Sequence, residues 1–237
     1  MNTPVQSFAW GTDPLNPCEW HILHQLWLMA TPGKTEFSLG YCYGIPNSRT
    51  RWLEFSNLRE VRFPFAMELE AIQRLATRPV VARPNQPVHL PPGQKTTLYV
   101  GTSLWLCLKR GDTTLLDIPV GRLSDTWFGP NTRRGELCFA CQTHARLSMD
   151  GVAANPWKAI TPVTVRNESP DALMLDRINL PVPNLALYRG KDRYWTSGIK
   201  ITQRGPGSLG EIEVKRGAPS ECEAPEELAS ARQPAGT

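Results

Sequence analysis

Twenty-two prolines, spread along 237 residues rather than gathered in tandem, constrain this chain more than any other feature. Proline removes a backbone donor and breaks helix interiors, so long helices do not survive at that spacing. The usage is close to twice the ordinary level. Eighteen glycines are scattered among the prolines, and together they cut the chain into short extended runs separated by turns. At 41% hydrophobic content, a chain of this length buries a core without disulfides.

Period-two alternation fills the runs between breaks. LREVRFPF sets Val61, Phe63 and Phe65 on one side and Arg62 opposite. FSLGYCYG, TRWLEFSN and WHILHQLWLM read as further strands. TTLYVGTSLWLCLKR places Leu104, Leu106 and Leu108 against Trp105 and Cys107, turns at RGDT and returns through TLLDIPV. After the loop SDTWFGPNTRRG come the strand ELCFACQTHARLSM, the strand–turn–strand run from Ile160 to Pro183, and the hairpin ALYRGKDRYWTSGIKIT. One segment breaks the pattern: Phe65, Leu69, Ile72 and Ala76 follow helical spacing behind Pro64.

The predicted architecture is all-β. A β-rich N-terminal part (1–78) with a short helix over 65–77 precedes an Ig-like antiparallel β-sandwich (79–204), with at most one or two short helices in all. Beyond Gly205 the composition turns to Gly, Pro, Ser, Glu and Ala, which predicts a flexible acidic tail over 205–237.

Charge is mild. Residues 217–237 hold four acids (Glu221, Glu223, Glu226, Glu227) and Arg232, which leaves 25 bases against 18 acids, a net of +7, for the remainder. The bases never run beyond two in a row, a weak footprint for nucleic acid or a membrane surface. Nonspecific polyanion binding, with the tail competing, is therefore a minor reading. The first residues show neither a positive n-region nor an apolar h-region, and no apolar run nears the ~20 residues of a bilayer-spanning helix. With six cysteines, that predicts reduced thiols and a cytoplasmic protein.

Several motifs invite a chemical reading. Cys138, Cys141 and His144 lie close together, and Cys18, His21 and His24 form a second cluster. A zinc site wants ligands presented from turns, whereas strand alternation sends Cys138 and His144 to one face and Cys141 to the other. Arg133 and Arg134 would lower the Cys138 pKa if they folded over it. The RGD at Arg110–Asp112 fits a hairpin tip. Phosphate loops, a nucleophile elbow and paired helical histidines are missing, so no enzyme activity, metal or cofactor is expected. Loop aromatics beside arginines mark a recognition surface instead: Trp127, Arg133, Arg134, Tyr194 and Trp195. The competing reading is that these aromatics plug the open ends of the sandwich.

The motifs RPVVARPNQPVHLPPGQKTTLYVGTSLWL, SDTWFGPNTRRGELCFA, ITPVTVRN, LPVPNLALY and RYWT resemble, in that order, a prokaryotic family catalogued as domain-of-unknown-function family 432. The resemblance covers about residues 8–203 and omits the tail. It implies no activity and no catalytic residue. Because members are sometimes encoded near mechanosensitive channels, it implies a membrane channel or its complex as partner. The expected function is a non-catalytic binding or assembly module that recognises a protein partner through the loop Trp and Arg residues. The alternative is a metal- or thiol-dependent protein centred on Cys138, Cys141 and His144.

Overall fold

The computed structural model describes residues 5–7, 10, 20–32, 36–44, 59–64, 70–84, 86–129, 135–150, 152–205 and 210–233. Their strands, in chain order, begin with β1 (Val5–Ser7), β2 (Trp20–Leu23), β3 (Leu26–Pro32), β4 (Glu36–Tyr43), β5 (Arg59–Pro64), β6 (Glu70–Arg74) and β7 (Val80–Pro84). Next come β8 (Val88–Leu90), β9 (Lys95–Ser103), β10 (Trp105–Arg110), β11 (Thr113–Pro119), β12 (Ser124–Phe128), β13 (Glu136–Ala145) and β14 (Lys158–Asn167). The last are β15 (Leu173–Leu175), β16 (Ile178–Leu180), β17 (Leu187–Arg189), β18 (Tyr194–Thr196), β19 (Ile199–Gln203), β20 (Glu211–Val214) and β21 (Glu226–Ala229). A single 3-10 turn, Val182–Asn184, is the helical element among the described residues. The fold is all-β, and no described helix is long and apolar enough to cross a membrane.

The chain divides into two compact units, and the division interleaves. The first joins Met1–Gln73 to Trp105–Arg122, and the second joins Arg74–Leu104 to Leu123–Thr237. The expected boundary at residue 78 therefore misses an excursion. What reads as one strand over 96–110 is broken at Leu104, whose N–H donates to Trp157 O at 2.9 Å. β9 stays in the second unit while the β10–β11 hairpin belongs to the first.

In the first unit β1 to β5 form a sheet in chain order, antiparallel except for β1 beside β2. WHILHQLWLM is two strands, because His24 and Gln25 turn the chain and His24 takes φ +57°. Leu26, Leu28, Leu39 and Phe63 are buried on one face, and Trp27 and its partner Cys42 are buried on the other. β6, β10 and β11 make a second sheet with β10 central. Both faces of β10 are covered, since Trp105, Leu106, Cys107 and Leu108 are all buried, the near-continuous apolar run of an inner strand. At the hairpin tip Gly111 takes φ +52°, so RGD sits where a tight turn wants glycine. Within the 65–77 segment expected to be helical, Glu70–Arg74 is instead β6, and 65–69 lie outside the described residues. Pairing with β10 outweighs helical spacing here, since propensity is a weak prior. The strand expected at TRWLEFSN also lies outside the described residues.

The second unit is built on β14. It pairs antiparallel with β9 from Lys158 to Arg166, and on its other edge parallel with β18 and then β19. The sheet runs β20-β19-β14-β18-β17-β21. Val163, Val165, Leu98, Val100 and Ile199 bury its core face. Another sheet, β12-β13-β7-β16, also contains a parallel pair, β13 with β7. Parallel pairs thus occur within sheets that are otherwise antiparallel.

Asn167, fully buried at the end of β14, ties three segments together. Its Nδ2 donates to Leu90 O at 2.9 Å and Asp171 O at 2.8 Å, and its Oδ1 accepts from Ser169 N at 3.0 Å. The Ser169 hydroxyl lies 2.7 Å from that Oδ1. Its backbone pairs with Gly93 and Gln94 in the turn before β9. This knot lays β15 against β8, Leu173 opposite Leu90.

The expected flexible tail is instead partly folded into the sheet. β20 pairs with β19, and β21 pairs with β17. Cys222 is buried with Tyr188 and Trp195, so closely that a Cβ on Gly190 would stand 3.1 Å from its Sγ. The tail's acids meet bases of the body: Glu226 takes both Nε and Nη2 of Arg189 at 3.0 and 2.6 Å, and Lys191 lies 3.9 Å from Glu223. Tyr99 donates to Glu221 at 3.0 Å. Composition alone predicted disorder because the tail has little to bury by itself; closing the β17 edge supplies what it lacks.

Two stability outcomes follow. Asn167→Leu should lose about 2–4 kcal/mol in urea melts, because the Ser169 N–H and the Leu90 carbonyl lose their side-chain partner. Truncation after Arg216 should cost a similar amount, lowering the melting temperature by roughly 5–15 °C. A neutral effect of truncation would show the strap to be dispensable.

Candidate functional site

Trp127 stands on β12, not on a loop. SDTWF, expected to be irregular, is an edge strand pairing with β13, Trp127 directly opposite Leu137. Both are unusually exposed, at 47% and 39%. Two pairs further along, on the same face, Asp125 stands opposite Phe139. Arg78 lies across them, its guanidinium 4.0 Å over the Phe139 ring and its Nη2 donating to Asp125 Oδ1 at 3.0 Å. An apolar pair thus adjoins a guanidinium held flat by a ring and a carboxylate, an arrangement worth more to orientation than to stability at such an exposed position.

Tyr194 and Trp195, expected on the same surface, lie on β18 in another sheet. Trp195 is only 5% exposed and packs with Tyr188 and Cys222, so its indole serves the core and a partner does not reach it. Tyr194 is half-buried beside Ala159 on β18. Arg133 and Arg134 belong to 130–134, which lies outside the described residues. Arg78, sixty residues from Cys138 in sequence, was invisible to a reading that looked for cations nearby.

β13 also carries the cysteines. Its pairing is regular from Glu136 to Cys141, and the register shifts only between Cys141 and His144. Cys138 is fully buried, and its Sγ points to Glu136 O at 3.5 Å and Asn179 Oδ1 at 3.8 Å. Burial pushes the thiol up to about 11, helped by Glu136 and opposed by Arg78. The thiol is therefore protonated at neutral pH, the reverse of an activated nucleophile. No three His, Cys, Asp or Glu groups converge as metal ligands among the described residues; the side chains of Cys141 and His144 lie outside them.

Behind β12 lies a groove of about 260 Å³ that the sequence reading missed. Val165 of β14, Ile201 and Gln203 of β19 and Ile212 of β20 line one side. Phe128 and the run Leu173–Asn179 line the other, without Asp176. Met174 and Ile212 are 56% and 38% exposed. One signal was available: EIEV alternates at period two inside a segment otherwise read as disordered.

Thiol titration checks the cysteine assignment. At pH 8 native Cys138 should react with a disulfide reagent far more slowly than free cysteine, and reach full rate only after denaturation. Because the folded pKa lies above the ordinary value of 9.0, its contribution to stability is complete below pH 9. It is lost as pH rises from about 9 to 11, and Cys138→Ala should flatten that window.

Neither a curated protein nor a solved structure matches the chain. A family model does match, over residues 23–237, and it runs on through the tail that the motif resemblance leaves out. The chain belongs to the family described as protein of unknown function (DUF432).

Proposed function

We propose that the protein is a non-catalytic binding or assembly module whose protein partner docks on the face bearing Trp127, Leu137 and Arg78. The single observation that carries this reading is the exposed Trp127 standing opposite an exposed Leu137. Burying a tryptophan and a leucine removes apolar surface from water without displacing charge, and tryptophan and arginine are the residue types that dominate interface energetics. Asp125 keeps the guanidinium in place, so little side-chain freedom is lost on docking. The thiol-centred alternative has no comparable support, since the Cys138 sulfur is buried and protonated.

A photo-reactive amino acid placed at position 127 in living cells should give a discrete cross-linked product. The same group at position 147, another exposed apolar site, should not. Leu137→Glu should abolish the product, and Trp127→Ala should weaken the isolated complex by roughly 30-fold, the scale of a hot-spot truncation. Fold stability should stay within ~0.5 kcal/mol for Trp127→Ala. Identical products from positions 127 and 147 would remove this face from consideration.

A further inference from the structure

The groove behind β12 is chemically distinct from the Trp127 face. Its floor is hydrocarbon: Val165, Leu175 and Ile178 are buried, and Ile201 is half-buried. The two amides at its wall are already engaged. Gln203 Nε2 donates to Gly205 O at 2.6 Å, and Asn179 Nδ2 donates to Glu136 Oε2 at 3.3 Å. Among the described residues, Arg177 is the one charged group in the lining. Its guanidinium lies 5.9 Å from the Phe128 ring centroid, and its Nε is 3.8 Å from Asp176 Oδ2. Among the described residues its Nη atoms make no hydrogen bond, so a planar pair of donors remains for an anion.

Size and edge chemistry narrow the occupant. A volume of about 260 Å³ falls just below the range for drug-sized ligands. The neighbouring edge strand β20 spans only four residues, with Glu211 held by Arg204 and Glu213 by Lys200. Short, charged edges discourage strand addition, so an added peptide strand does not suit this place. A small molecule does, with a hydrocarbon body for the floor and a negative head for Arg177.

We propose that this groove binds a small aliphatic monocarboxylate, with its chain against Val165, Leu175, Ile201 and Ile212 and its carboxylate on the Arg177 fork. The site stands apart from the protein-docking face, because Phe128 and Trp127 are consecutive on β12 and point to opposite sides of the sheet.

Octanoate is the probe, with octanol as its uncharged counterpart, each titrated into the full chain by calorimetry at pH 7. Octanoate should bind at least about tenfold tighter than octanol. Arg177→Gln should erase that advantage and leave octanol unchanged, while Ile212→Glu should remove both ligands. Methyl NMR should show octanoate shifting Met174 but not Met149. Circular dichroism confirms folding of each variant. Equal affinity for acid and alcohol, or octanoate binding indifferent to Arg177→Gln, overturns the head-group assignment. No binding of either ligand, or no shift at Met174, overturns the site itself. Trp127→Ala should leave octanoate affinity unchanged, which keeps this outcome separate from that of the docking face.

Discussion

β14 is the constraint on which the second unit depends. It is paired on both edges, with β9 on one side and β18 then β19 on the other, so its backbone polar groups find partners in an interior where unpaired ones are costly. Its inward residues Val163 and Val165 anchor the core face. Its last residue, Asn167, converts the end of a strand into a junction. A buried amide is expensive unless satisfied, and here donors and acceptor are all occupied. That satisfaction holds β15 in place, and β15 supplies one wall of the groove.

Strand alternation also explains why the conspicuous chemistry falls silent while an inconspicuous surface gains interest. β12 and β13 present Trp127 and Leu137 on one side and Phe128 and Cys138 on the other. The side that is covered makes the sulfur an inert apolar group. The side that is not covered leaves a tryptophan in water. Arg78, arriving from the turn before β7, contributes to both: it stacks on Phe139, and its charge partly offsets the effect of burial on Cys138.

The acidic carboxyl-terminal segment shows how charge asymmetry along a sequence becomes pairing in space. Its glutamates meet Arg189 and Lys191, so part of the remainder's positive charge is met by this segment. These exposed pairs contribute little each. The weight is carried by Cys222 in its aromatic cluster and by the β21 ladder along β17, which covers a sheet edge that would otherwise invite association.

The sequence by itself determined the all-β class, strands within FSLGYCYG, LREVRFPF, ELCFACQTHARLSM and ITPVTVRN, and the glycine-tipped RGD hairpin. Alternation and turn chemistry are local, and each strand carries its own record of them. Only the tertiary structure decided that 70–74 is a strand, that 105–122 leaves one unit for the other, and that Trp195 is core while Trp127 is surface. Arg78 reaching Asp125, and Ile212 and Met174 flanking a groove, were likewise beyond local reading. Those outcomes depend on which strands become neighbours, and burial belongs to both partners of a contact, so neither segment states it alone.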